Sequence, residues 1–181
     1  MPSLSVLSVF VPTFFLVSLT PGMCMTLAMV LGMTQGVKRA LWMMLGELVG
    51  VGLVAFSAGA GVAALMLKLP ALFALFKWLG GAYLVYLGWL MWRSRGRMAI
   101  PDNLEDTAPP RRRELAMQGF VTAVANPKGW AFFVALLPPF IDPARPVLTQ
   151  LAGLILVILS LEFTCLLLYA SGGKSLRHLL A

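Results

Sequence analysis

Apolar runs of twenty residues and more dominate this sequence, and they leave few folds open to it. A helix needs about 20 such residues to cross roughly 30 Å of hydrocarbon. Inside a bilayer every backbone N–H and C=O must also find an internal partner, which helices provide. The chain is therefore predicted to be an all-α polytopic membrane protein. Composition agrees: 60% of its 181 residues are hydrophobic and only 12% are charged, against about 25% charged residues in soluble domains. Five transmembrane helices are expected, at Val6 to Met33, Ala40 to Leu67, Ala71 to Trp92, Met117 to Leu137 and Val147 to Ala170. Together they form a single membrane domain over residues 1–181. The N-terminus has no basic leader segment and Met23 precedes Cys24, so neither a cleaved signal nor a lipid-attachment motif is expected.

The formal charge of +7 and the "RRR" at 111–113 raise the idea of a nucleic-acid partner. Placement argues against it, because the basic residues fall in the connections between apolar runs, where topology explains them. One face carries Lys38, Arg39, Arg93, Arg95, Arg97, Arg111, Arg112, Arg113, Lys174 and Arg177, while the other carries Lys68 and Arg145. That excess predicts a cytoplasmic first face, an external N-terminus and a cytoplasmic linker at 93–116. The linker, "RSRGRMAIPDNLEDTAPPRRRE" with its flank, is polar, proline-containing and mixed in charge, and reads as a mobile segment. Trp78, Trp89 and Trp92 read as interfacial anchors or packing residues.

Two of the spans contain what a lipid-facing helix avoids. The first, at about 1.5 Å per residue, would measure about 42 Å as a continuous helix, too long for an untilted crossing. "SLTPGMCM" at 18–25 interrupts it, since Pro21 removes a donor and Gly22 adds no stiffness. It is a simple proline kink, or a break facing protein or water, the only settings in which irregular backbone survives at membrane depth. The fourth span repeats the device with "ANPKGW": Pro127 frees a carbonyl one turn back, and Asn126 and Lys128 add an amide and a charge. Centring a lysine in hydrocarbon costs about 2.5–3.5 kcal/mol on insertion scales. Lys128 lies too far from either end of its span to reach water easily, so a functional or ion-paired role is expected.

Glu47 in "LGELVG" and Glu162 in "LSLEFT" complete the intramembrane ionisable set at similar depths from their cytoplasmic ends. Such groups face a bundle interior, pair with one another, and mark substrate or proton pathways. Either acid is a candidate to neutralise Lys128 and to carry a coupling proton; a purely structural pair is the alternative. Discontinuous helices in the two halves of a chain point to a transporter binding site. Half-helix N-termini suit a carboxylate. The residues alone thus suggest a carrier for a small anionic or zwitterionic solute.

In this order, "LTPG", "GVKRAL…LGELVG", "GAYLVYLGW" and above all "GFVTAVANPKGWAFFVALLPPFID" make the sequence similar to the LysE/RhtB family of amino-acid exporters, from about Ser18 to Asp142 and more weakly to Glu162. The resemblance implies a multi-pass plasma-membrane carrier of the bacterial type, driven by the proton gradient and expelling an amino acid or derivative. It also implies two inverted three-helix repeats, 1–92 and 117–181. By the family pattern Thr20, Pro21, Gly22, Asn126, Pro127 and Lys128 line the pathway, and Glu47 and Glu162 are the expected proton-coupling groups. Two departures stand out. Met23 and Cys24 occupy positions where the family has Pro and then Asn or Asp. Relatives also continue into a sixth span, so the second repeat is expected to be incomplete, through truncation or because a copy in a homo-oligomer covers the face. Exact repeat symmetry is not expected, because Glu47 and Glu162 sit at different distances from the starts of their spans.

The competing readings are a transmembrane thiol–disulfide electron carrier using Cys24 and Cys165, and a non-transporting truncated relative. No cysteine spacing suggests a metal site, and no Ser/His/Asp set, metal cluster or phosphate loop suggests an enzyme or a cofactor; the single His178 lies in the basic tail.

Overall fold

The computed structural model describes residues 3–68, 110–142 and 144–180, together with Leu75, Trp78, Leu79, Ala82, Val85, Tyr86 and Trp89. All the secondary structure among them is helical. Helix α1 (Leu4–Leu19) starts at Ser3, whose Oγ accepts the Val6 N–H at 3.3 Å. It stops because Thr20 precedes a proline, which disfavours helical backbone; Thr20 is extended at φ −67° and ψ 125°. Helix α2 (Met23–Thr34) follows at an angle of 59°. Gly36, at φ +81°, then makes the tight turn into α3 (Val37–Lys68), a left-handed conformation that favours glycine.

The second half repeats this arrangement. Helix α4 (Arg112–Val124) ends at Ala125, Asn126 is extended ahead of Pro127, and α5 (Pro127–Leu136) sets off at 51°. Proline suits the first position of a helix, where its missing N–H is no loss. A short 3-10 turn, Pro138–Phe140, leads to α6 (Val147–Leu180). Gln150, buried at the start of α6, accepts the Asp142 N–H at 3.0 Å and donates to the Asp142 carbonyl at 2.9 Å, tying the turn down.

Segments Val37–Gly61 and Val147–Ser175 are long and apolar enough to cross a membrane, and each bent pair is so when taken as one span. Both proline sites are therefore true breaks rather than mild kinks. Two boundaries differ from expectation. The fourth helix begins at Arg112 instead of Met117, so the end of the 93–116 linker is helical. Arg111 N–H donates to Glu114 at 2.8 Å, and Arg112, Arg113, Glu114, Leu115 and Ala116 are all good helix formers, which carry the helix past the apolar run. The last helix continues beyond Ala170 to Leu180 through Gly172 and Gly173, where Gly173 packs on the Met29 carbonyl of α2. The span at Ala71 to Trp92 and residues 93–109 lie outside the described residues, apart from the isolated positions above, where Trp78 and Trp89 are exposed.

Two helix pairs hold the molecule together. Along α3 and α4, a Cβ on Gly46 would strike the Ala116 carbonyl and one on Gly119 the Met43 carbonyl. Along α2 and α6, Gly32 meets the Ala170 carbonyl and Gly173 that of Met29 in the same reciprocal way. Small residues let backbones approach closely where lipid provides no hydrophobic drive for helix association. The other two half-helices, α1 and α5 with its following turn, are joined to each other by aromatic rings. Phe14 meets Phe132 edge-on at 5.4 Å, and Phe10 meets Phe140 at 5.0 Å.

Candidate functional site

At the first break the usual helical donors fail, because Pro21 has no N–H and Gly22 is extended. The Thr20 N–H turns to the Val17 carbonyl, the Thr20 hydroxyl serves that of Leu16, and Tyr169 of α6 serves that of Leu19. This leaves the Thr20 carbonyl bare and Val17 with room for a second donor. Lys128 fills that gap from across the bundle. Its Nζ donates to the Val17 carbonyl at 3.1 Å and to the Thr20 carbonyl at 2.9 Å. The ammonium thus sits at the negative end of the α1 dipole, a favourable place for a cation. It has three protons and these bonds use two. Gly22 leaves room for it: a Cβ there would lie 3.6 Å from Lys128 Cδ and Nζ. Beyond the break, α2 opens with no side-chain cap, leaving first-turn N–H groups free.

The second break is satisfied locally. Asn126 Oδ1 accepts the Lys128 N–H at 3.1 Å as an N-cap. Trp130 Nε1 donates at 2.8 Å to the Val124 carbonyl, one of those released at the end of α4. The Asn126 amide also approaches Cys24 Sγ at 3.7 Å, so the thiol stands against the amide where the resemblance leads one to expect an Asn or Asp side chain.

The two acids approach from the frame helices. Glu162 of α6 accepts a 2.5 Å hydrogen bond from Ser18 Oγ of α1. Glu47 of α3 is 0% exposed, and neither of its carboxyl oxygens has a hydrogen-bond partner. No ion pair joins Lys128 to either acid among the described residues. The expectation of a direct Lys–Glu pair is thus corrected: backbone carbonyls take the ammonium, with Glu162 acting on it only at longer range.

These groups surround one partly open cavity of about 60 Å³, room for about four waters. Thr20, Gly22, Asn126, Lys128, Glu47 and Glu162 all line it. Pro21 and Pro127 do not; they make the breaks that let the others converge. Phe14, Phe132, Phe133, Val51, Val54 and Met25 supply an apolar wall. The arrangement brings two first helical turns, α2 and α5, an ammonium and two carboxyl groups to one cavity. It has the charge pattern of a receptor for a small zwitterion. Sequence reasoning did not pick out Ser18, Trp130 or the three phenylalanines. Ser18 carried a signal, being the polar residue within a turn of the first break, and "AFF" beside "NPKGW" was another. Cys24 and Cys165 are free, buried thiols, Cys24 against Asn126. Among the described residues no His/Cys/Asp/Glu group could hold a metal ion.

Comparison with known proteins gives a consistent neighbourhood. The family model described as "LysE type translocator" matches residues 15–181. An uncharacterised membrane protein of Vibrio cholerae is 32% identical over 71% of this chain and 61% of its own length. A homoserine/homoserine lactone efflux protein of Salmonella typhimurium is 32% identical over 76% of this chain and 66% of its own. A leucine efflux protein of an Enterobacter strain is 34% identical over 73% of this chain and 61% of its own. The chain thus spans between three fifths and two thirds of the length of these relatives. No solved structure matches it significantly.

Proposed function

Because this chain belongs to the LysE type translocator family, we propose that it expels an amino acid or amino-acid derivative across the plasma membrane in exchange for protons. The observation that carries this reading is the convergence of Lys128, Glu47, Glu162 and two half-helix N-termini on one cavity inside an apolar bundle. The substrate carboxylate meets the free N–H groups at the start of α2 and the remaining proton of Lys128, where helix dipole and ammonium act together. Its side chain rests against Phe14, Phe132 and Phe133. Glu47 and Glu162 exchange protons with the gradient, since intramembrane acids of this kind form proton pathways. The names of the two efflux relatives make leucine and homoserine the first compounds to try.

In this reading, residues 1–92 and 117–181 are the two inverted repeats, and each contributes one broken helix. The half-helices α1 and α5 are the parts that rock, because the glycine-packed pairs α2–α6 and α3–α4 are too close to slide. The charge asymmetry of the connections favours an external N-terminus and a cytoplasmic 93–116 segment.

The test is exchange of labelled leucine and homoserine in vesicles reconstituted with the full chain, with and without a proton gradient. Wild-type protein is expected to move at least one of them, faster against an opposing proton flux. Lys128→Ala is expected to cut the initial rate about tenfold or more, the loss that follows from removing one charged contact to a substrate. Movement of neither compound, or an unaltered rate in the variant, would contradict the reading.

A further inference from the structure

Resting on the carrier reading above, we propose that Glu47 is the subsite for the substrate's ammonium group, occupied in turn by a proton and by that ammonium. Every other charged group in the cavity already has a partner. Lys128 is held by the Val17 and Thr20 carbonyls, and Glu162 by Ser18. Glu47 is 0% exposed, lines the same cavity, and offers two carboxyl oxygens that meet no N–H donor or cation; only the weakly donating Cys24 thiol and the Glu162 carboxyl lie beside them. An unpaired buried carboxylate is so costly that it must hold a proton or meet a cation. The groups that face it are Cys24 from α2, Lys128 from α5 and Glu162 from α6. From α4 come Leu115, Gly119 and Ala123, none of which titrates. Among the described residues no other cation lines the cavity to take the role.

The geometry of an amino acid fits the vacancy in charge. Its carboxylate and ammonium are borne by one carbon, and the cavity that Glu47 lines is lined also by Lys128 and by the start of α2 at Gly22 and Cys24. When the ammonium arrives, the Glu47 carboxyl gives its proton to cavity water and keeps the O–H electron pair. The resulting carboxylate pairs with the ammonium. At the Glu47 oxygens an ammonium replaces a proton; the zwitterion brings no net charge, so the released proton carries one positive charge out of the cavity. Proton and substrate then exclude each other at one pair of oxygens, which is what obligatory exchange requires. The ligand class is a primary ammonium next to a short carbon skeleton; a hydroxy acid of the same shape is refused.

The experiment compares leucine with 2-hydroxy-4-methylpentanoate, which keeps the side chain and carboxylate and replaces ammonium by hydroxyl. Uptake of each is measured in vesicles holding the wild type, Glu47→Gln, Glu47→Asp or Glu162→Gln, with the flux into protein-free vesicles subtracted. Wild type is expected to favour leucine about tenfold or more, Glu47→Gln to bring the ratio within about twofold, and Glu162→Gln to keep it. Glu47→Asp, with its charge retained, is expected to keep a clear preference and serves where Glu47→Gln does not fold. Binding of leucine to wild-type protein in weak buffer should release a proton that Glu47→Gln does not release. An undiminished preference in Glu47→Gln, or one lost in Glu162→Gln instead, would overturn the assignment. If leucine is not moved, homoserine and 2,4-dihydroxybutanoate are compared in the same way. If wild type moves neither amino acid, the carrier reading fails and takes this assignment with it; if it moves an amino acid and its hydroxy acid equally, only the assignment fails.

Discussion

The two broken helices look alike in outline but are supported in different ways. Each is a proline break in an apolar span, bent by 59° at Thr20–Gly22 and by 51° around Asn126. The second is self-sufficient, with Asn126 capping α5 and Trp130 covering the Val124 carbonyl. The first covers only its Leu16 carbonyl with a side chain of its own, Thr20; the Leu19 carbonyl is taken by Tyr169 of α6, and the Val17 and Thr20 carbonyls by Lys128, which belongs to the second. They also differ in which half is anchored: α2, after the first break, and α4, before the second, are the glycine-packed halves. The unanchored halves, α1 and α5, are joined to each other by Lys128 and by Phe14 against Phe132 and Phe133. A break that depends on a distant side chain responds to whatever that side chain binds. Placing the charge on the stable break and its partners on the dependent one couples the two halves through a single ammonium.

Substitutions can pull this comparison apart. The largest effect is expected where the frame itself is struck. Gly119→Ala or Gly32→Ala drives a Cβ into a facing backbone carbonyl, and overpacking of that kind should cost about 3 kcal/mol or more. Thermal unfolding in detergent would register it for both breaks together. Next comes Lys128→Met, which strips the Thr20 carbonyl of its donor at about 1–3 kcal/mol and leaves the Val17 carbonyl with the Thr20 N–H alone. Its signature is asymmetric: amides at the end of α1 and start of α2 should exchange hydrogen faster, while those around Asn126 stay protected. Equal loosening of both breaks would contradict the dependence. Asn126→Ala should do the opposite, removing a cap worth about 1 kcal/mol and loosening α5 alone. Trp130→Phe should act at the same break and more weakly, by about 0.5–1.5 kcal/mol for one hydrogen bond. Smallest of all is the pair Cys24→Ser and Cys165→Ser, in which transport should persist, because the carrier reading assigns no thiol chemistry; its loss in that double variant would favour an electron carrier.

Much of this architecture can be read from the sequence because proline, glycine and charge are conspicuous in apolar runs. Pro21 and Pro127 announce the breaks, and Glu47, Lys128 and Glu162 can only face inward. The partner of Lys128 is another matter. Sequence offers the two acids as counter-charges, yet the ammonium settles on the carbonyls of Val17 and Thr20. Every residue carries a carbonyl, so no letter distinguishes the ones a break has freed; only the approach of the two breaks reveals them. The boundaries at Arg112 and Leu180 were hidden for a different reason. Hydropathy ends where the bilayer ends, whereas helix propensity continues through arginine, glutamate and leucine at the first boundary. At the second, the close approach of Gly173 to α2 carries the helix on through poor helix formers. Ser18 went unnoticed because a lone hydroxyl in a membrane helix usually bonds its own backbone, as Thr13, Thr20 and Thr34 do here.

The account turns on the ammonium of Lys128 bridging the two breaks. Solid-state NMR of the protein in lipid bilayers, with 15N at lysine Nζ and 13C at threonine carbonyls, measures that contact directly. Dipolar recoupling should detect one lysine close to a threonine carbonyl, consistent with a 2.9 Å hydrogen bond to Thr20, and the signal should vanish in Lys128→Arg. No such coupling in the wild type, with the Lys128 ammonium instead near lipid acyl chains, would contradict it.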